Sequence, residues 1–143
     1  MYRILILFFC CALTGCGNDT SIKTVSVSLN QPLDAFDSDD TLSLWIYNQQ
    51  INDCEVLQNT TNQPQEDDTG FISKDTINAD TLTSVTASTS FNIENLPADI
   101  PLSFFAIVID NSTGDILTSG CNEHDAIGAG SNLDIEIILP KTE

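Results

Sequence analysis

Positive charge is nearly missing from this chain of 143 residues: four Lys and Arg stand against 21 Asp and Glu, a formal net charge of −17. Nucleic-acid binding neutralises phosphates with Lys and Arg, so nucleic acid is not expected as a partner. Anionic lipid head groups are repelled by the same surface. Histidine occurs once, at His124, and no serine sits in a Gly-x-Ser-x-Gly setting that would pair it with a base. No catalytic residues are therefore assigned, and no cofactor or metal is expected. Apolar runs are short. The longest, residues 4–13, has ten residues, about half of what spans a bilayer as a helix. Beyond it, no window of helical length shows a 3.6-residue apolar period.

What is present begins with that short run. Arg3 is the only charge before it. A positive start, an apolar centre of about 7–15 residues and small residues at its end are the parts of a secretory signal. A buried helix is the alternative, but it would carry polar residues at helical spacing, and this run carries none.

The run ends on Leu13-Thr14-Gly15-Cys16, which resembles the lipobox of bacterial lipoproteins. The resemblance implies that the Cys16 thiol receives a diacylglyceryl group and that cleavage falls between Gly15 and Cys16. In many such proteins the new amino terminus is acylated too. One acyl chain binds a membrane marginally, whereas two or more anchor stably, at about 0.8 kcal/mol per buried methylene. The residue after the cysteine is Gly17 rather than Asp. In that family this favours the outer membrane, where the organism has one.

Cleavage there leaves residues 16–143, a length that suits one domain with one core. All the acidic residues stay, and Lys23, Lys74 and Lys141 are the only cations left. The five cysteines then resolve: Cys10 and Cys11 leave with the signal and Cys16 is lipidated. Cys54 and Cys121 remain, which in an exported protein are expected as a disulfide. With His124 they are too few, and wrongly spaced, for a structural zinc centre. The organisation expected is a signal peptide over residues 1–15, a lipidated tether over 16–23 and a β-sandwich domain over 24–143.

Alternation of period two dominates that last span, and it signals strands. Val25, Val27 and Leu29 share one face. Leu42, Leu44 and Ile46 point inward, with Trp45 and Tyr47 opposite. Phe91, Ile93 and Asn95 alternate, as do Leu133, Ile135, Ile137 and Leu139. Residues 104–109 are apolar on both faces, the mark of a central strand covered on both sides. Residues 116–121 are its hairpin partner across the turn at 111–115. Residues 59–70 form a polar loop, and residues 82–87 hold an edge strand or belong to a second loop. The fold class expected is all-β, a single small β-sandwich of about seven mostly antiparallel strands after a cleaved signal helix.

From Phe91 to Leu139 the pattern runs Phe-x-Ile-x-x-Leu-Pro, Pro-Leu-x-Phe-x-Ala-x-Val-x-Asp, Gly-x-x-Leu-x-x-Gly-Cys and Gly-x-x-x-x-x-x-Ile-x-Leu. It resembles transthyretin-like or immunoglobulin-like sandwich domains of envelope lipoproteins. The first half departs from the immunoglobulin pattern, since Trp45 lies nine residues before Cys54. The resemblance therefore implies an architecture and no binding residues.

Other clusters have plain readings beside functional ones. His124 is read as an exposed loop residue rather than a base or ligand. Residues 34–40 hold four aspartates and residues 66–68 three more acids. They suit a hard cation such as calcium, yet the EF-hand order fails, and solvated loops are the plain reading. Asn59-Thr60-Thr61 and Asn111-Ser112-Thr113 match the glycosylation sequon, a chance match in a bacterial lipoprotein. Trp45, Tyr47 and Phe105 are core residues or an exposed aromatic patch for a ligand. The reading that follows is a lipid-anchored envelope lipoprotein, a non-enzymatic binding, structural or accessory module. Its partners are the membrane, through the anchor, and an envelope protein or surface ligand. A calcium-dependent adhesin and an envelope hydrolase using acidic residues are the alternatives.

Overall fold

The computed structural model describes residues 23–29, 36, 39–78, 88–128 and 133–140. The signal, Cys16, Gly17, most of the 34–40 acidic cluster and the 82–87 segment lie outside the described residues. Among those described, seven strands and one short helix follow in the order β1 Lys23–Leu29, β2 Thr41–Asn48, α1 Cys54–Gln58, β3 Phe71–Asn78, β4 Ser88–Ile93, β5 Leu102–Ile109, β6 Ile116–His124 and β7 Asp134–Leu139. The strands form two sheets, β4-β1-β7 and β3-β2-β5-β6, so the fold is the all-β sandwich expected. Pairing is antiparallel except between β1 and β7.

The alternation builds the core. Val25, Phe91, Ile93, Ile135, Ile137 and Leu139 from the small sheet face Leu42, Leu44, Ile46, Phe104, Ala106 and Val108 from the large one, all buried. Each of these side chains larger than Ala106 contributes about 1.5–3 kcal/mol on burial. Strand β5 is buried at every position, which requires a cover on the far side of the large sheet as well. Residues 49–70 supply it.

At one corner the two sheets touch directly. A Cβ on Gly120 of β6 would lie 2.8 Å from the carbonyl oxygen of Ile138 and 3.0 Å from Ile137 Cγ2. The lack of a side chain is what lets the backbones approach. Thr118 Oγ1 donates to the Pro140 carbonyl at 3.0 Å, and Asn122 Nδ2 donates to that of Glu136 at 2.9 Å. These side-chain bonds tie β6 of the large sheet to carbonyls in and just after β7 of the small one.

Several boundaries differ from expectation. Strand β3 stands where no strand was expected. Asn95 lies outside β4 with φ +60°, and Leu96 takes the buried position instead. Lys23 begins β1 rather than ending a tether. Strand β6 runs on to His124 because β5 starts early, pairing Leu102 with His124. His124 is thus the half-buried end of a strand, with Nδ1 2.7 Å from the Asp125 carbonyl oxygen.

Candidate functional site

The outer face of the large sheet carries a second apolar cluster of Trp45, Tyr47, Leu57, Phe105, Ile107 and Ile109. The three aromatics singled out in the sequence are therefore brought together and buried, with Tyr47 and Phe105 only 1% exposed. Phe71 stands edge-on to both Trp45 and Tyr47, with ring centroids 5.8 and 6.0 Å away. Lys74 Nζ lies 4.4 Å from the centre of the Trp45 ring, a cation–π contact, and 4.0 Å from Glu66.

Residues 49–70 leave β2, cross this cluster and return into β3. Their conformation is fixed from several sides. Asp53 caps α1, its Oδ1 accepting from the Val56 amide at 2.9 Å. Asn59 closes the helix by donating to the Glu55 carbonyl. Glu123 of β6 accepts the Cys54 amide on Oε1 and the Gln49 side chain on Oε2, each at 2.7 Å. The Cys54–Cys121 disulfide spans a Cα separation of 5.6 Å, within the ordinary range, and bonds α1 to β6. Gln63 Nε2 reaches the Gly114 carbonyl in the β5–β6 turn. Gly70 has φ +86° and passes Ile51 closely enough that a Cβ would sit 3.0 Å from the Ile51 Cβ. A glycine suits both demands.

Asp68 is the internal tie. Its Oδ2 accepts from Tyr47 Oη at 3.2 Å and from the Gln65 amide at 2.7 Å. Burial pushes the Tyr47 phenol well above its ordinary value, and the Asp68 carboxylate beside it adds to the shift, since both disfavour a phenolate.

Three concavities open around this strap. One of about 440 Å³ is lined by Tyr47, Val56, Leu57, Pro64 and Asp68 together with Asn52, Thr60, Asn62, Gln63, Gln65 and Thr69. A second, of about 470 Å³, lies across Pro64 and is lined by Trp45, Glu66, Asp67 and Lys74 among others. The indole N–H of Trp45 is buried and finds no acceptor among the described residues. The third includes Asp53, Glu55, Glu123 and Asp125. Among the described residues, no group of three or more His, Cys, Asp or Glu is placed to hold a metal ion. A scan against family models, a search of curated proteins and a search of solved structures all find no match.

The remaining candidates have structural work. Asp110 sits at the β5–β6 turn and accepts from the Ser112 hydroxyl and amide at 2.6 and 2.7 Å, and from Thr113. These bonds, that from the Ser112 hydroxyl first, hold its carboxyl below the usual range. The sequon residue Asn111 spends its amide on the Asp39 carbonyl and Thr41 Oγ1. Residues 66–68 lie in the strap, and Asp68 is engaged inward. Of the polar residues lining the first cavity, Tyr47, Thr60 and Asp68 were singled out in the sequence for other reasons, while Asn52, Asn62, Gln63, Gln65 and Thr69 were not. Their signal is residues 58–65, eight in a row with neither a charge nor, apart from Pro64, an apolar side chain.

Proposed function

We propose that the chain is a lipid-anchored bacterial envelope lipoprotein whose sandwich serves as a non-enzymatic binding or accessory module. One observation carries the reading: the fold uses Cys54 and Cys121 as a bonded pair. Such a bond persists in oxidising compartments outside the cytoplasm. It also leaves Cys16, at the end of Leu13-Thr14-Gly15-Cys16, as the one cysteine of the processed chain free to be lipidated. Two or three acyl chains on that residue hold the domain at a membrane, while the acidic surface keeps the domain itself off anionic head groups. Residues 49–70 are the natural place for recognition, because a rigid sandwich supports them and binding residues concentrate on such loops.

Palmitate labelling tests the anchor. The wild-type chain takes up label and is shortened, whereas Cys16→Ala is neither labelled nor processed. Equal labelling of the two overturns the reading. Where the host has two membranes, Gly17 directs the labelled protein to the outer one, and recovery with the inner membrane rejects that part.

A further inference from the structure

We propose that the cavity of about 440 Å³ beneath the 52–69 strap binds a neutral, hydroxyl-rich ligand of the saccharide class; the assignment rests on the reading of the chain as a binding module. Its volume lies in the range of small-molecule sites, about 300–1,000 Å³. The chemistry of its wall is specific. Asn52 Nδ2 donates to the Thr69 carbonyl, Gln63 Nε2 to that of Gly114 and Gln65 Nε2 to that of Gln63. Each of these amides is thereby held in place before any ligand arrives, which lowers the ordering cost of binding. Among the described residues, each keeps a second N–H and its carbonyl oxygen, a paired donor and acceptor. A hydroxyl group is itself both donor and acceptor, so it is the group that satisfies such an amide in both directions.

The rest of the wall agrees. Asp68 commits Oδ2 to Tyr47 and Gln65, which leaves Oδ1 to accept from ligand hydroxyls. Val56, Leu57 and Pro64 offer an apolar side to the C–H face of a sugar ring. Val56 is 53% exposed, one of three large apolar side chains in that state among the described residues. None of the described lining residues is cationic. An anionic sugar would meet Asp68 in a chain of net charge −17 with nothing to neutralise it. A cationic ligand is better served by the neighbouring concavity of Asp53, Glu55, Glu123 and Asp125.

The test is saturation-transfer NMR on the full chain in detergent, with glucose, galactose, mannose and N-acetylglucosamine as neutral probes and glucuronate as the anionic one. Transfer to the ring protons of at least one neutral sugar is expected, with glucuronate about tenfold weaker, the effect of about 1.4 kcal/mol. Asn62→Leu should weaken the neutral sugar about fivefold, the size of one net hydrogen bond. Its melting temperature should not move, because the Asn62 side chain is exposed and bonds to nothing else described. Thr60→Val is the second variant and should act in the same direction. No transfer to any of the four neutral sugars, a glucuronate response equal to theirs, or binding untouched by both variants overturns the proposal. Failure of Cys16 labelling with saccharide binding intact would overturn the anchor alone. Intact labelling without saccharide binding would overturn the cavity assignment alone.

Discussion

Breaking the Cys54–Cys121 bond by the double change Cys54→Ser and Cys121→Ser is expected to cost about 4 kcal/mol. The two residues are 67 apart in sequence. Closing a loop of that length removes about 14–15 cal/mol/K from the unfolded ensemble, which is about 4 kcal/mol at room temperature. For a fold of roughly 120 residues the unfolding entropy is about 0.25 kcal/mol/K, so the melting temperature should fall by about 16 °C. The loss has a place as well as a size. Cys54 opens α1 and its partner sits on β6, so the bond holds the strap over Trp45, Tyr47 and Phe105. Amide exchange in residues 49–70 should accelerate more than in β5 when thiol reductant is added to the wild-type protein. Thermal unfolding of oxidised, reduced and doubly substituted protein measures the first effect, and hydrogen exchange the second. A drop of less than about 1 kcal/mol would refute the reasoning, since the hydrogen bonds of Glu123 and Asp68 would then suffice to hold the strap.

Gly120→Ala places a methyl group 2.8 Å from a backbone oxygen of β7, so the two strands must shift apart. A loss of about 1–3 kcal/mol in chemical denaturation is expected, and an unchanged midpoint would show that the corner yields freely. The pH dependence of stability should carry the mark of Tyr47. Its pKa in the folded protein lies above the ordinary value near 10, so the folded state holds the proton longer than the unfolded one. The stabilisation is complete below about pH 10 and is lost as the pH rises further. Ultraviolet titration of the processed chain, in which Tyr47 is the one tyrosine left after cleavage before Cys16, should show ionisation only on alkaline unfolding. An ionisation near pH 10 in folded protein that Tyr47→Phe removes would contradict this.

The inner core was legible in the sequence because a strand with one covered face writes that face as alternation. Leu133, Ile135, Ile137 and Leu139 are all buried, as their spacing requires. The doubly buried run at 104–109 was legible for the converse reason. Strand β3 was not. Its register shifts against β2 between Ile46 and Tyr47, so Phe71, Ile72 and Ile77 lose the period of two. Lys74 and Asp75 charge its middle, as befits an edge strand. Helix α1, five residues long, is shorter than any window in which a helical period can register, and an N-cap with tertiary contacts holds it. The candidate cavity was hidden for a different reason. Most of its residues are polar, and all but Tyr47 are close in sequence and without period. Only the closure of the strap by residues distant in sequence, Cys121, Glu123 and Gly114, turns them into a wall.

The parallel pairing of β1 with β7 bears on the order of assembly. The first strand is the middle member of its sheet, flanked by β4 and by β7, the last strand of the order. Residues 23–29 therefore have neither hydrogen-bonded neighbour until most of the chain has been made, and their parallel neighbour only when residue 139 is available. Pairings of such long sequence separation form slowly. The antiparallel β2–β3 pair of the larger sheet is available by residue 78, whereas β1 waits unpaired for β4 and then for β7. The smaller sheet closes as a late event, wherever the last strand arrives.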